Sequence, residues 1–322
     1  MESEELKEEG GIGSEVQKMN TGRELIPIAL FVYNRVDHVR ETVAALQLND
    51  LNDIGLYVFS DGPREGDDLA VARVREFVET ISGFEFVNVK KSEENRGLAN
   101  SIISGVTEVL KHHESIIVLE DDLIVSPYFT DYMRSGLATY RNDSRVMSIA
   151  GYGYPLGKYL NEYNCNDVYF LNLTTSWGWA TWRTSWKFFE KNPKKLKNEF
   201  TRADIKRFNL NNSENFWNQV LLNNRGLINT WAIFWYATVF KQNGLTLFPR
   251  ISLVNNIGHD GSGTNCGRSD RFDTDLAHKQ LSAITIPVEE DARARLALER
   301  FLKDSKPSLL TRCISLLKRL TK

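Results

Sequence analysis

The sequence is short of sulfur, of surplus charge and of long apolar runs, and each shortage closes off a class of answers. Three cysteines among 322 residues (Cys165, Cys266, Cys313) are an odd number without CxxC spacing. That argues against a disulfide-built scaffold and a four-cysteine zinc site. Forty Lys and Arg against 42 Asp and Glu leave a net charge of −2, so no global field favours a nucleic acid partner. No apolar run approaches the roughly 20 residues of a membrane span. There is no GxGxxG and no Walker lysine, so the dinucleotide-binding and P-loop fingerprints are missing. The start, residues 1–24, is rich in Glu, Gly, Ser and Lys; it shows no secretory signal and reads as a disordered leader. These features together point to a reduced, cytoplasmic protein. At 42% hydrophobic and 25% charged, with no repeat, the composition is that of an ordinary globular chain: two average domains, or one large α/β enzyme domain with appendages.

What is present first is a rhythm. Ile26-Pro27-Ile28-Ala29-Leu30-Phe31-Val32-Tyr33 is a continuous apolar run that breaks at Asn34-Arg35, the pattern of a strand buried on both faces. A helix follows through Val39, Val43, Leu46 and Leu48, then a strand over 54–59 that ends in Ser60-Asp61-Gly62-Pro63. A second helix runs through Val71, Val74, Phe77, Val78 and Ile81, and a third strand over 84–89. Residues 97–111 form a helix with Leu98, Ile102, Val106 and Leu110 at four-residue spacing, and a fourth strand over 115–119 runs into Glu120-Asp121-Asp122. Strand and helix in alternation predict an α/β fold with a mostly parallel central sheet and helices on both faces. Beyond about residue 145 the chain turns aromatic, with all seven of its tryptophans from Trp177 to Trp235. From about 288 it is charged and helical.

The chemistry gathers at strand ends. Three adjacent carboxylates, Glu120, Asp121 and Asp122, repel one another unless a cation sits among them. A hard divalent ion held by one or two carboxylates and substrate phosphates resolves that conflict; a solvated acidic turn or a helix N-terminus would use the same residues. Strand alternation would send Glu120 and Asp122 one way and Asp121 the other. Asp61 ends the second strand, as a base or ribose contact or as a turn former. Asn34-Arg35 and Asn95-Arg96 put guanidinium groups near the same edge, where a diphosphate would want them.

Residues 26–265 resemble a GT-A nucleotide-sugar glycosyltransferase, similar to bacterial surface-polysaccharide enzymes and to the N-acetylglucosaminyltransferase I family. The resemblance rests on Phe31-Val32-Tyr33-Asn34-Arg35, Phe59-Ser60-Asp61-Gly62, Asn95-Arg96-Gly97-Leu98 and, above all, Val118-Leu119-Glu120-Asp121-Asp122 through Ser126-Pro127. Ser176-Trp177-Gly178-Trp179 and Asn255-Asn256-Ile257-Gly258-His259-Asp260-Gly261-Ser262-Gly263 support it. It implies a GT-A (Rossmann-like) domain over 25–287, with a nucleotide-binding half (25–125) and an aromatic-rich acceptor half (126–287), before a helical tail over 288–322. It implies Arg35 and Asp61 at the nucleobase, with Asn34 and Arg96 in the same site, Asp121 at the donor sugar or ribose, and Glu120 towards the sugar. Asp122 becomes the ligand of Mn²⁺ or Mg²⁺, with His259 as a second metal or phosphate contact, and Trp177, Gly178 and Trp179 face the acceptor or sugar.

The implied reaction is inverting transfer of a hexose or N-acetylhexosamine from a nucleotide-diphosphate sugar to a glycan or lipid-linked acceptor in cell-surface polysaccharide assembly, with a carboxylate base. Relatives tend to carry that base as Asp where this chain has Asn229, and an amide cannot serve. Asp260 or Glu214 would then supply the base, or the protein is impaired. Apolar residues of 309–320 share one stripe of a basic helix, suited to the inner face of the cytoplasmic membrane or to packing on the domain. A sugar nucleotidyltransferase would want a Gly-rich basic loop after the first strand, where Asn34-Arg35-Val36-Asp37 stands; a non-catalytic nucleotide-sugar-binding module is the other alternative.

Overall fold

The computed structural model describes residues 25–160, 166–260, 271–281 and 285–306. The leader, the three cysteines, the glycines of 261–263, the side chain of Asp260 and the helix of 309–320 lie outside the described residues.

The amino-terminal rhythm becomes β1 (Ile26–Val32), α1 (Val36–Gln47), β2 (Ile54–Ser60), α2 (Asp68–Val78), β3 (Phe86–Lys91), α3 (Leu98–His112) and β4 (Ser115–Glu120). Then come β5 (Leu123–Val125), α4 (Phe129–Tyr140), β6 (Val146–Ala150), β7 (Val168–Leu171), β8 (Trp179–Trp182) and α5 (Arg183–Trp186). Four helices follow, α6 (Pro193–Glu199), α7 (Arg202–Phe208), α8 (Phe216–Asn224) and α9 (Ala232–Lys241), before β9 (Leu245–Pro249), β10 (Val254–Asn256) and α10 (Ala292–Asp304).

Eight strands form one sheet in the order β3-β2-β1-β4-β8-β6-β9-β7. β3, β2, β1 and β4 are parallel neighbours. β8 runs against both β4 and β6, β9 runs with β6, and β7 runs against β9. The sheet is therefore mixed α/β with a parallel majority and helices on both faces, as expected. All seven residues of β1 are buried because α1 and α4 cover one face, through Val39, Val43 and Met133, and α3 covers the other, through Ile102 and Val106. A strand covered twice has no polar side to show, hence its unbroken apolar run.

The aromatic half completes the second face. Trp179, with no exposed surface, stacks on Trp231 at 5.2 Å and lies against Trp186 and Trp235. The expectation that Trp179 faces a sugar is thus corrected: its ring is inside the core. The residues from 288, expected as a tail, begin with a helix that belongs to the body. Asp291 caps α10 by accepting from the amides of Arg293 and Ala294, and Ala294, Ala297, Leu298, Phe301 and Leu302 are buried against the neighbouring core. Among the described residues no helix is long and apolar enough to cross a membrane.

Candidate functional site

β1, β2 and β4 end side by side, and the chain beyond each end turns into one cleft of about 350 Å³. Its walls include Asn34, Arg35, Asp61, Glu120, Asp121, Asp122 and Asn229. A parallel sheet concentrates ligand sites at such strand ends because the loops there diverge.

Asp121 and Asp122 do not continue the alternation of β4. The chain turns after Glu120, and both carboxylates converge on one guanidinium: Arg35 Nη2 donates to Asp121 Oδ1 and, at 2.8 Å, to Asp122 Oδ2. The cation that the triplet demands is supplied from within the chain, 86 residues away from Asp121. Burial pushes Asp121 up to about 6, Arg35 opposing and Asp122 adding to the rise. Burial, with Asp122 and Asp121 adding their charges, holds Glu120 well above the usual carboxylate range. The two carboxylates hold Arg35 firmly charged against the cost of its burial.

One oxygen of Asp122, Oδ1, is buried without a hydrogen-bond partner. Next to it comes the end of the two-stranded ribbon of β5 and β10, in which Asn256 pairs with Leu123 and Ile257 N donates to Asp122 O at 2.9 Å. The approach is so close that a Cβ on Gly258 would sit 2.1 Å from Asp122 Oδ2, so only glycine fits as built. His259 follows, with both ring nitrogens buried and unpartnered, its ring edge-on to Trp177 at 5.3 Å. Among the described residues no three His, Cys, Asp or Glu side chains gather into a metal-binding group. Asp122 Oδ1 in the cleft and the His259 imidazole next to Gly258 are groups that could ligate a hard divalent ion, which needs only one or two protein ligands when other oxygens complete its shell.

Asp61 is otherwise employed. Its Oδ1 accepts from the amides of Gly62 (3.0 Å) and Arg96 (2.8 Å), and its Oδ2 accepts from Gly97 N at 2.8 Å. It fixes the loop that opens α3, the kind of structural task its turn sequence allowed for. Asn34 gives its amide to Asp67 at 3.2 Å. The side chain of Arg96 is exposed and does not line the cleft. The guanidinium lining it at that end is Arg64, which lies over the Tyr33 ring and donates from Nε to Asn95 Oδ1 at 3.2 Å. The sequence reading missed Arg64, although it directly follows the Asp61-Gly62-Pro63 turn.

Glu214 stands outside the cleft, paired with Arg271 Nη2 at 2.9 Å. Asn229 is in the cleft, its Oδ1 accepting from Lys191 Nζ. Trp177 is half-buried and reaches a second, aromatic cavity. Gly178 lies between Trp177 and β8 with φ +58°; its carbonyl accepts from Gly151 N at 2.6 Å, so the left-handed turn ties the segment to the end of β6.

The chain matches no protein-family model and no curated protein sequence. Among solved structures it is similar to a mannosyltransferase from Pyrobaculum calidifontis in complex with GDP-mannose and Mn²⁺, at 14% identity and a TM-score of 0.37, over 68% of this chain and 74% of that one.

Proposed function

We propose that this protein is a glycosyltransferase of GT-A type that moves a sugar, with inversion, from a nucleotide-diphosphate donor to a glycan or lipid-linked acceptor in cell-surface polysaccharide synthesis. One observation carries the reading: the buried, unpartnered Oδ1 of Asp122, in a strand-end cleft that also holds Arg35, Arg64 and three further carboxylates. A neutral ligand has no use for that pairing of anionic and cationic groups; a diphosphate accompanied by a divalent cation uses both.

In this reading Asp122 and His259 hold Mn²⁺ or Mg²⁺. When bound, the ion supplies positive charge that offsets the charge developing on the departing diphosphate. Arg64 and the backbone around Asn95 and Gly97 form the nucleotide end of the cleft, which Asp61 keeps rigid. Arg35 keeps Asp121 ionised and directed at the ribose or donor sugar.

For the proton of the acceptor hydroxyl, the cleft carboxylates sort by what they already do. Asp61 is spent on three amides, and Asp121 and Asp122 are paired with Arg35. The Glu120 carboxyl has no hydrogen-bonding partner among the described residues, and Glu120 lines the cleft. Its raised affinity for protons brings it nearer to the working range of a general base. Glu214 is excluded by its position.

Asn229 favours a second reading, a nucleotide-sugar-binding protein without turnover, since the position of the expected base holds an amide occupied by Lys191. Release of nucleoside diphosphate from a panel of nucleotide sugars, with Mn²⁺ or with a chelator, separates the two. Mn²⁺-dependent release with one donor supports the enzyme; tight donor binding with no release supports the binder; neither binding nor release refutes both.

A further inference from the structure

β8 runs against both β4 and β6, so β4 and β6 point the same way, and β9 runs with β6. The donor cleft lies where β1, β2 and β4 finish; at the other end of the sheet, where β9 begins, two more cavities flank the last turn of α9. One, of about 220 Å³, is lined by Thr238, Lys241 and Gln242, with Lys195 of α6. The other, of about 390 Å³, is lined by Phe240 and Asn243, with Arg207 of α7, Arg295 of α10, Asn172 and Asn211. α9 starts just after Asn229 of the cleft and ends between these cavities. Ten residues at 1.5 Å each put about 15 Å of helix between the two places, so neither cavity is part of the donor site.

The surface at this end is cationic. Across α6 and α7, from Pro193 to Phe208, six Lys and Arg stand against two acids in a chain whose total charge is −2. Lys194, Lys197, Arg202, Lys206 and Arg207 are exposed, and their charged ends have no ion pair or hydrogen bond among the described residues. The neighbouring acids are already matched: Glu190 by Lys195 (2.6 Å), Glu199 by Lys241, and Glu290 and Glu299 by Arg295 (3.0 and 2.9 Å). Asp204 accepts from Thr201 as part of the cap of α7. Five unmatched cations on two consecutive short helices favour an anionic partner.

Amides give the site its second character. The carboxamides of Gln242 and Asn243 have no hydrogen-bond partner among the described residues. Asn172 and Asn211 donate to Gly244 O (2.6 Å) and Glu299 Oε1 (2.8 Å) and keep their oxygens open.

Three kinds of anionic partner can be told apart on this chemistry. A single-stranded nucleic acid stacks its bases on open aromatic faces, but the two rings at the cavities are covered: Lys187 Nζ lies over Phe188 at 5.0 Å, and Arg207 over Phe240 at 4.9 Å. An anionic bilayer is met by cations together with an inserting apolar face, and it leaves carboxamides set in recesses unused. A glycan chain that bears carboxylate or phosphate groups uses both sets, its anions on guanidinium and ammonium groups and its hydroxyls on the amides. A ligand that fills both cavities crosses the last turn of α9, about 10 Å wide, which calls for a chain rather than a single ring.

We infer that the end of α9 is a holding site for an anionic glycan chain, remote from the donor cleft. The glycosyltransferase reading supplies the reason such a chain is at hand; the binding itself does not depend on it.

The test uses the full chain and a galacturonate oligomer, with neutral dextran, DNA and phosphatidylglycerol vesicles as comparisons, all by isothermal titration. The galacturonate oligomer should bind saturably and weaken at least about tenfold between roughly 0.05 and 0.5 M NaCl, as the screening length shortens. The triple variant Arg202→Gln, Lys206→Gln, Arg207→Gln should weaken it about tenfold, through three exposed charge contacts. Lys194→Gln, Lys197→Gln serves in the same way if the triple variant does not melt like the parent. Gln242→Ala, Asn243→Gly should weaken it at least about threefold; glycine suits residue 243, whose φ is +49°. No binding of the galacturonate oligomer, equal binding of dextran, tighter binding of DNA or of vesicles, or an affinity indifferent to these variants overturns the inference. Nucleoside diphosphate binding with Mn²⁺, measured on the same samples, reports on the donor cleft and should be the same in parent and variants. Nucleotide binding without galacturonate binding rejects this site alone, and galacturonate binding without nucleotide binding rejects the transferase reading alone.

Discussion

Replacing Arg35 by Met removes the cation that, among the described residues, holds Asp121 and Asp122 together. The side chains of Arg35, Asp121 and Asp122 are 19%, 7% and 13% exposed, so solvent screens the cluster weakly. Taking one partner from a buried ion pair costs about 3–5 kcal/mol, mostly through the charge left uncompensated; the cleft admits water, which places Arg35→Met near about 3 kcal/mol. A divalent ion can occupy the vacated place. At a hundredfold excess over its Kd, a ligand that binds only the folded state returns about 2.7 kcal/mol. In the parent protein the ion gains less, because it must first draw Asp122 Oδ2 away from the guanidinium. Urea unfolding of both proteins in EDTA and in Mn²⁺ reads this directly. The stability gap should be about 3 kcal/mol in EDTA and at least about 1 kcal/mol narrower in Mn²⁺. A gap of the same size in both buffers would show that the ion does not take over the work of Arg35, and the reasoning fails.

Three further outcomes follow from the same geometry. Glu120→Gln should lower transfer about 10²–10⁴-fold, the usual contribution of a general base, while nucleoside diphosphate affinity measured by calorimetry changes only a few-fold; undiminished turnover removes Glu120 from the role. Gly258→Ala puts a methyl group on Asp122 Oδ2 and should weaken Mn²⁺-dependent nucleotide binding at least about tenfold, some 1.4 kcal/mol; unchanged binding would mean that the ribbon does not press on this carboxylate. Burial, with the charges of His112 and Arg183 acting the same way, lowers the pKa of His113, whose ring meets the Tyr57 hydroxyl at 3.0 Å. The unfolded chain then binds this proton more readily than the folded one, so the contribution of His113 is present at neutral pH and lost as pH falls through the ordinary histidine value towards the lowered one. Unfolding free energies at pH 7.5 and near pH 5.5 should therefore differ less in His113→Gln than in the parent, and equal differences would refute the assignment.

The first four strands and the helices between them were legible because burial on both sides of a strand, or on one side of a helix, writes itself into local spacing. β3 lies two residues beyond its expected start, a shift that keeps the same side chains on the same faces. The second half was less legible for physical reasons. Its strands are three to five residues long, too short for a period, and β8 enters the sheet between β4 and β6, far from its neighbours in sequence. The position of the acidic triplet and of Arg35 at one edge could be read from strand ends; that Arg35 itself answers the triplet's charge could not, since the contact depends on where two loops turn. Tryptophan was the least readable residue. Trp177 and Trp179 stand two apart, yet one borders a cavity and the other is wholly buried, because Gly178 turns the chain between them. Asp61 likewise carried a turn signal, but its amide partners at Arg96 and Gly97 come from a loop 35 and 36 residues away.

A divalent ion joining Asp122 to a diphosphate is tested most directly by isothermal titration of UDP and GDP, each with Mn²⁺ and with EDTA. In the parent protein Mn²⁺ should tighten one of the two nucleotides by at least about tenfold, and in Asp122→Ala that gain should disappear while the metal-free affinity stays. A gain from Mn²⁺ that survives the loss of Asp122, or no nucleotide binding under either condition, would contradict the account.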